Sequence, residues 1–116
     1  MLTINKLRAD HVLDFAAEEL KKYLRMMMPE CGDIAIAYAP EAKEGYRLGL
    51  LEDFGLPFEG EDSVLDDVIH VEADGNGGIL AGSNPRSVLF SVYRFLRENG
   101  CRWLYPGVDE IGRAHV

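Results

Sequence analysis

Apolar and polar positions follow two rhythms along this chain. Leu2-Thr3-Ile4 alternates with a period of two, as a short strand does. From Leu13 the period becomes helical: Leu13, Ala16, Ala17, Leu20, Leu24 and Met27 fall on one stripe. Asp10 is placed to cap this helix, and Pro29 to end it near Met28, because the residue before a proline is driven out of the α region. Ile34–Tyr38 then predicts a largely buried strand, and Tyr46–Leu50 another short one. The stretch from Glu52 to Ser63 holds Gly55, Pro57 and Gly60 among acidic residues and predicts a surface loop. Val68–Ala73 and Ile79–Ala81 flank Asp74-Gly75-Asn76-Gly77-Gly78, a hairpin signal built on residues that tolerate positive φ. His70 sits in this alternation as a solvent-facing strand residue.

The last third carries the sharpest local signal. In Gly82-Ser83-Asn84-Pro85-Arg86, Ser83 or Asn84 can cap a helix whose first position is Pro85, where the missing N–H costs nothing. Val88, Leu89, Val92, Phe95 and Leu96 give its buried stripe. Asn99-Gly100 predicts its end, since Gly100 can enter the left-handed conformation. Cys101–Tyr105 then reads as a final strand stopped by Pro106-Gly107. Gly82, Asn84, Pro85 and Gly100 are thus the expected structural positions. The predicted fold class is α+β: one mixed β-sheet with two helices packed on one face, in a single domain over residues 1–116.

Composition narrows the function classes. The 116 residues carry 20 acids against 12 Lys plus Arg, a net charge of −8, and are 47% hydrophobic, which suits one folded core. Clustered basic residues for nucleic acid are missing, and no apolar run reaches the roughly 20 residues of a membrane span. The first 30 residues show no leader of signal-peptide form, so location stays open between the cytoplasm and a trimmed exported protein. Cys31 and Cys101 can form at most one disulfide; two free thiols is the expectation.

The chemistry on offer is sparse. A strand, a Gly-Ser-Asn turn and a helix start at Ser83–Arg86 could hold an anion with Arg86 as a cation, yet capping and a sharp turn explain every residue there. The adjacent acids Glu18-Glu19, Glu61-Asp62, Asp66-Asp67 and Asp109-Glu110 point in different directions, so they do not by themselves form a catalytic pair across a cleft. Neither a metal-ligand spacing nor a cofactor loop is present, so no metal, cofactor or catalytic residue is expected. Trp103 and Tyr105 would share one face of the predicted last strand, with Arg102 on the other. They offer either an interface or a stacking platform for a sugar.

The segment Gly78–Glu110 resembles a known module, most specifically in Gly100-Cys101-Arg102-Trp103 and the following Pro106-Gly107. It is similar to the N-terminal domain that precedes the catalytic barrel in bacterial α-glucuronidases and β-N-acetylhexosaminidase-like glycoside hydrolases. Ala16-Ala17-Glu18-Glu19-Leu20 is similar to that module's first helix. The resemblance implies the non-catalytic β-N-acetylhexosaminidase-like domain fold. It also implies an accessory role, with a barrel of the same parent protein as partner. That barrel needs roughly 250 residues, more than this chain holds. Arg86, Arg102, Trp103, Tyr105 and Pro106 are then the expected inter-domain or ligand surface. A stand-alone carbohydrate-binding module is the alternative, with carbohydrate as the partner.

Overall fold

A computed structural model of the chain describes residues 2–58 and 66–104, with side chains through residue 99. Its elements are β1 (Leu2–Lys6), α1 (His11–Met27), β2 (Ile34–Tyr38), β3 (Tyr46–Leu50), β4 (Ile69–Asp74), β5 (Gly77–Gly82) and α2 (Pro85–Leu104). Short 3₁₀ turns at Pro29–Cys31 and Leu51–Phe54 follow α1 and β3. The chain is α+β, with one five-stranded mixed sheet in the order β2-β1-β3-β5-β4. The pairs β2–β1, β1–β3 and β3–β5 are parallel, and only β4 runs antiparallel to its neighbour β5.

Register decides which side chains meet. Ile4 stands beside Ile36 and Tyr46, Tyr46 beside Gly78, and Leu48 beside Leu80, which in turn faces Val71. These positions share one face, and both helices pack on it and on each other. From α1, Leu13, Ala16, Ala17, Leu20 and Leu24 enter the core, as their spacing predicts; Val88, Val92, Phe95 and Leu96 enter it from α2. Tyr46 is fully buried at the centre, its ring 5.8 Å from that of Phe95, and its hydroxyl donates to the Asp74 carbonyl at 2.6 Å. Each such large side chain stabilises the fold by about 1.5–3 kcal/mol relative to exposure.

The helix starts form as the sequence predicts. Asp10 is extended, and its carboxylate accepts from the Val12 N–H at 2.7 Å, taking up one of the orphan donors of the first turn. The hairpin also forms, with Asp74 paired to Gly77 around Gly75-Asn76. Within the 74–78 segment positive φ falls on Gly77 (148°) and Gly78 (139°), while the Asp74 carboxylate holds the turn by accepting from the Asn76 N–H at 2.8 Å. A Cβ on Gly78 would run into the Glu72 carbonyl, so the ladder closes only without one.

Three expectations need correction. First, α2 does not stop at Gly100 but runs to Leu104, so residues 101–104 are helical and not a strand. The Asn99 amide donates back to the Phe95 carbonyl at 2.9 Å, which keeps it within the helical turn. Second, β2 is an edge strand: Ala35 and Ala37 are exposed because no described element covers the sheet's second face there, and Tyr38, on the face of Ile34 and Ile36, is exposed at the strand end. Third, the acidic stretch after β3 begins as a turn of 3₁₀ helix rather than a plain loop. Asp53 ties it down, accepting from the Leu50 N–H at 2.8 Å and from the Arg8 guanidinium. Residues 59–65 of that stretch, and Glu61-Asp62 with them, lie outside the described residues.

Candidate functional site

The start of α2 is the part of the resemblance that the structure describes best. Asn84 caps the helix: its side-chain oxygen accepts from the Ser87 N–H at 2.9 Å, and its own N–H donates to the Ser87 hydroxyl at 2.9 Å. Ser83 ties the turn to the segment before β4. Its hydroxyl donates to the Asp66 carbonyl at 2.6 Å and accepts from the Val68 N–H at 3.0 Å. The last residue of β5, Gly82, lies directly beneath this turn. A Cβ there would sit 2.5 Å from both the Ser87 hydroxyl and the Val88 nitrogen.

An anion does sit at this helix start, and it belongs to the chain itself. The Asp67 carboxylate accepts from the Asn84 amide at 3.1 Å and from Arg86, through Nε and Nη2, at 3.0 Å each. The Arg86 hydrogen bond holds the Asp67 carboxyl below its usual range, against a smaller opposing effect of desolvation. An external phosphate or carboxylate at Ser83–Arg86 would have to displace it. Asn84, Pro85 and Arg86 therefore form a clamp that fixes α2 against the segment entering β4.

Of the other expected surface residues, Arg102 and Trp103 are placed at the far end of α2 from Arg86. Arg102 lies 16 residues further along α2, a rise of about 24 Å at 1.5 Å per residue. Trp103 also lies on the last turn of that helix, so strand alternation does not govern where it faces. The side chains of Gly100 to Trp103, Cys101 included, and all of Tyr105, Pro106 and Asp109-Glu110 lie outside the described residues. Cys31 is a free, half-buried thiol. His70 stands half-buried on the face opposite the helices. Among the described residues no three His, Cys, Asp or Glu side chains gather where a metal could be held, and no helix is long and apolar enough to cross a membrane.

The face opposite the helices holds a feature that the sequence reading did not single out. Thr3, Asn5, Ala35, Ala37, Arg47, Gly49, His70, Glu72, Ile79 and Ala81 alternate onto it. A cleft of about 540 Å³ opens there, lined by Leu7, Pro40–Lys43, Arg47, Asp53, Phe54 and Ile79. Its walls are the β2–β3 connection, which Asn5 anchors by donating to the Glu44 carbonyl at 2.9 Å, and the Leu51–Phe54 turn. Arg47 stands at its base on β3, the central strand, with the Phe54 ring centroid 6.0 Å from its guanidinium carbon. Its Nε is buried without an acceptor. The alternation Tyr46-Arg47-Leu48 places Arg47 on this face, but only the three-dimensional structure shows that among the described residues no acid forms an ion pair with it.

Comparison of the chain with known protein families, with curated proteins and with solved structures finds no match.

Proposed function

We propose that this chain is the non-catalytic N-terminal accessory domain of a carbohydrate-active, glycoside-hydrolase-like protein, and that it packs against and positions a catalytic barrel elsewhere in that protein. The sequence resemblance over Gly78–Glu110 motivates the reading. One structural observation carries it: four of the five strands are neighbours in parallel, yet among the described residues helices cover only one face of their sheet. Sheets with this much parallel pairing are normally covered on both faces. Here the second face is left bare at Ala35 and Ala37, with Tyr38 exposed beside them at the strand end. Exposed small side chains at the sheet edge leave room for a neighbouring domain to approach the strand backbone closely. The end of α2 and the residues after it, Arg102 to Pro106, supply a second contact in this proposal, while Arg86 is reserved for the clamp on Asp67.

The size of the native gene product tests the proposal. An antibody against this domain, used to blot source-cell lysate, is expected to reveal a band several times larger than 13.0 kDa. A single band at the size of the domain would overturn the reading. The carbohydrate-binding module gains no specific support, because the strand platform expected for Trp103 and Tyr105 is helical up to Leu104.

A further inference from the structure

We propose that the cleft over Arg47 binds a small organic monocarboxylate. The chain has 20 acids and 12 Lys plus Arg, so an arginine at the centre of the sheet would be expected to find a carboxylate. Among the described residues none pairs with Arg47. Of the two acids that line the cleft, Asp53 is already taken by the Arg8 fork (2.9 and 3.0 Å) and by the Leu50 N–H, and Glu41 is exposed. Arg47 therefore keeps its charge uncompensated in a half-buried position, with an Nε–H that has neither a protein acceptor nor solvent. Among the described residues the two Nη groups of Arg47 make no protein hydrogen bond and are not closed off as Nε is, so a carboxylate in the cleft can accept from both of them end-on, a charge-assisted pair beside the orphaned donor.

The rest of the cleft specifies the ligand class. Phe54 backs the guanidinium plane, and Leu7, Pro40 and Ile79 give an apolar wall for the ligand's body. Lys43 adds a second cation on the rim, while Glu41 opposes a second negative charge, so a monocarboxylate fits better than a dianion. The volume falls within the roughly 300–1,000 Å³ of small-molecule sites. The cleft shares its sheet face with the surface that the accessory-domain reading gives to the barrel, but the titration below uses this chain alone, so either reading can fail without the other.

The test is an NMR titration of the ¹⁵N-labelled chain with benzoate and with hexanoate, using benzamide as the neutral analogue of benzoate. The expected result is saturable shifts of the Arg47 Nε–H and of the Phe54 and Ile79 amides with at least one carboxylate. Benzamide should bind about ten-fold more weakly, and Arg47→Gln should lose about ten-fold in affinity for the carboxylate. If neither carboxylate shifts these signals saturably, or if benzamide matches benzoate, the proposal is overturned. Unchanged carboxylate binding by a folded Arg47→Gln overturns it equally. Should that variant not fold, the benzoate–benzamide comparison on the unaltered chain decides.

Discussion

Burial pushes the Tyr46 phenol well above its ordinary range, and the charge on Asp74 adds to the shift. The neutral form is the one that fits the core, donating to the Asp74 carbonyl. A folded value raised above the unfolded value gives stability that is complete below pH about 10 and is lost as the pH climbs through the folded value. Tyr93 is shifted the same way, by burial and by its hydrogen bond to Glu19. In a tyrosinate absorbance titration the Tyr46 step should lie above the ordinary phenol range and vanish in Tyr46→Phe. Tyr46→Phe should cost about 1 kcal/mol at neutral pH, and its loss of stability above pH 10 should be shallower than in the unaltered chain. Urea unfolding at both pH values checks this, and equal alkaline slopes in the two proteins would refute it. Single residues were legible in the sequence only as far as local alternation reaches. Tyr46 and Arg47 are visibly on opposite faces, but their depth depends on Ile4, Gly78 and Ile79, which strand pairing brings from far along the chain.

At the scale of the element, local chemistry was most readable where side chain and backbone meet. Asp10, Asn84 and Pro85 mark helix starts in the sequence because their hydrogen bonding is decided within three residues. The end of α2 was misread because Gly100 was taken as a stop. Glycine inside a helix costs about 1 kcal/mol relative to alanine, which a 20-residue helix packed along one side absorbs. The uniformly apolar run of β2 was likewise read as buried, since such a run does not distinguish a central strand from an edge. The Gly82–Ser87 junction gives a sharper expectation. Asn84→Ala should destabilise by about 1–2 kcal/mol through loss of the cap. Gly82→Ala should cost about 1–3 kcal/mol by forcing α2 away from β5. Both act on Ser87, so the double variant should depart from additivity in denaturant unfolding. An unchanged midpoint in both single variants would show that the clamp contributes nothing.

The whole molecule was legible as a class and not as a topology. Period and punctuation predict both helices and six strands, of which the sixth, from Cys101, is instead the end of α2, but the order β2-β1-β3-β5-β4 depends on parallel pairings whose partners lie tens of residues apart. Nothing in Leu2–Lys6 itself says that it belongs between β2 and β3. That order predicts a gradient of protection in native-state hydrogen exchange. Amides of β1 and β3, paired on both sides, should open only with global unfolding. Amides of β2 and β4, each with one neighbour, should exchange through smaller openings. Equal protection across all five strands would show that the sheet opens as one unit.

The central place of β1 has a consequence for how the chain is made. Synthesis delivers Leu2–Lys6 before either flanking strand, at roughly 5–20 residues per second. The ribosome must therefore release this apolar segment with no sheet to join, and both of its edges stay open until residues 34–50 have followed. In that interval α1 is made between β1 and β2, and the stripe Leu13–Leu24 can shield Ile4 before any ladder exists. The first helix is then a temporary escort as well as a permanent wall of the core.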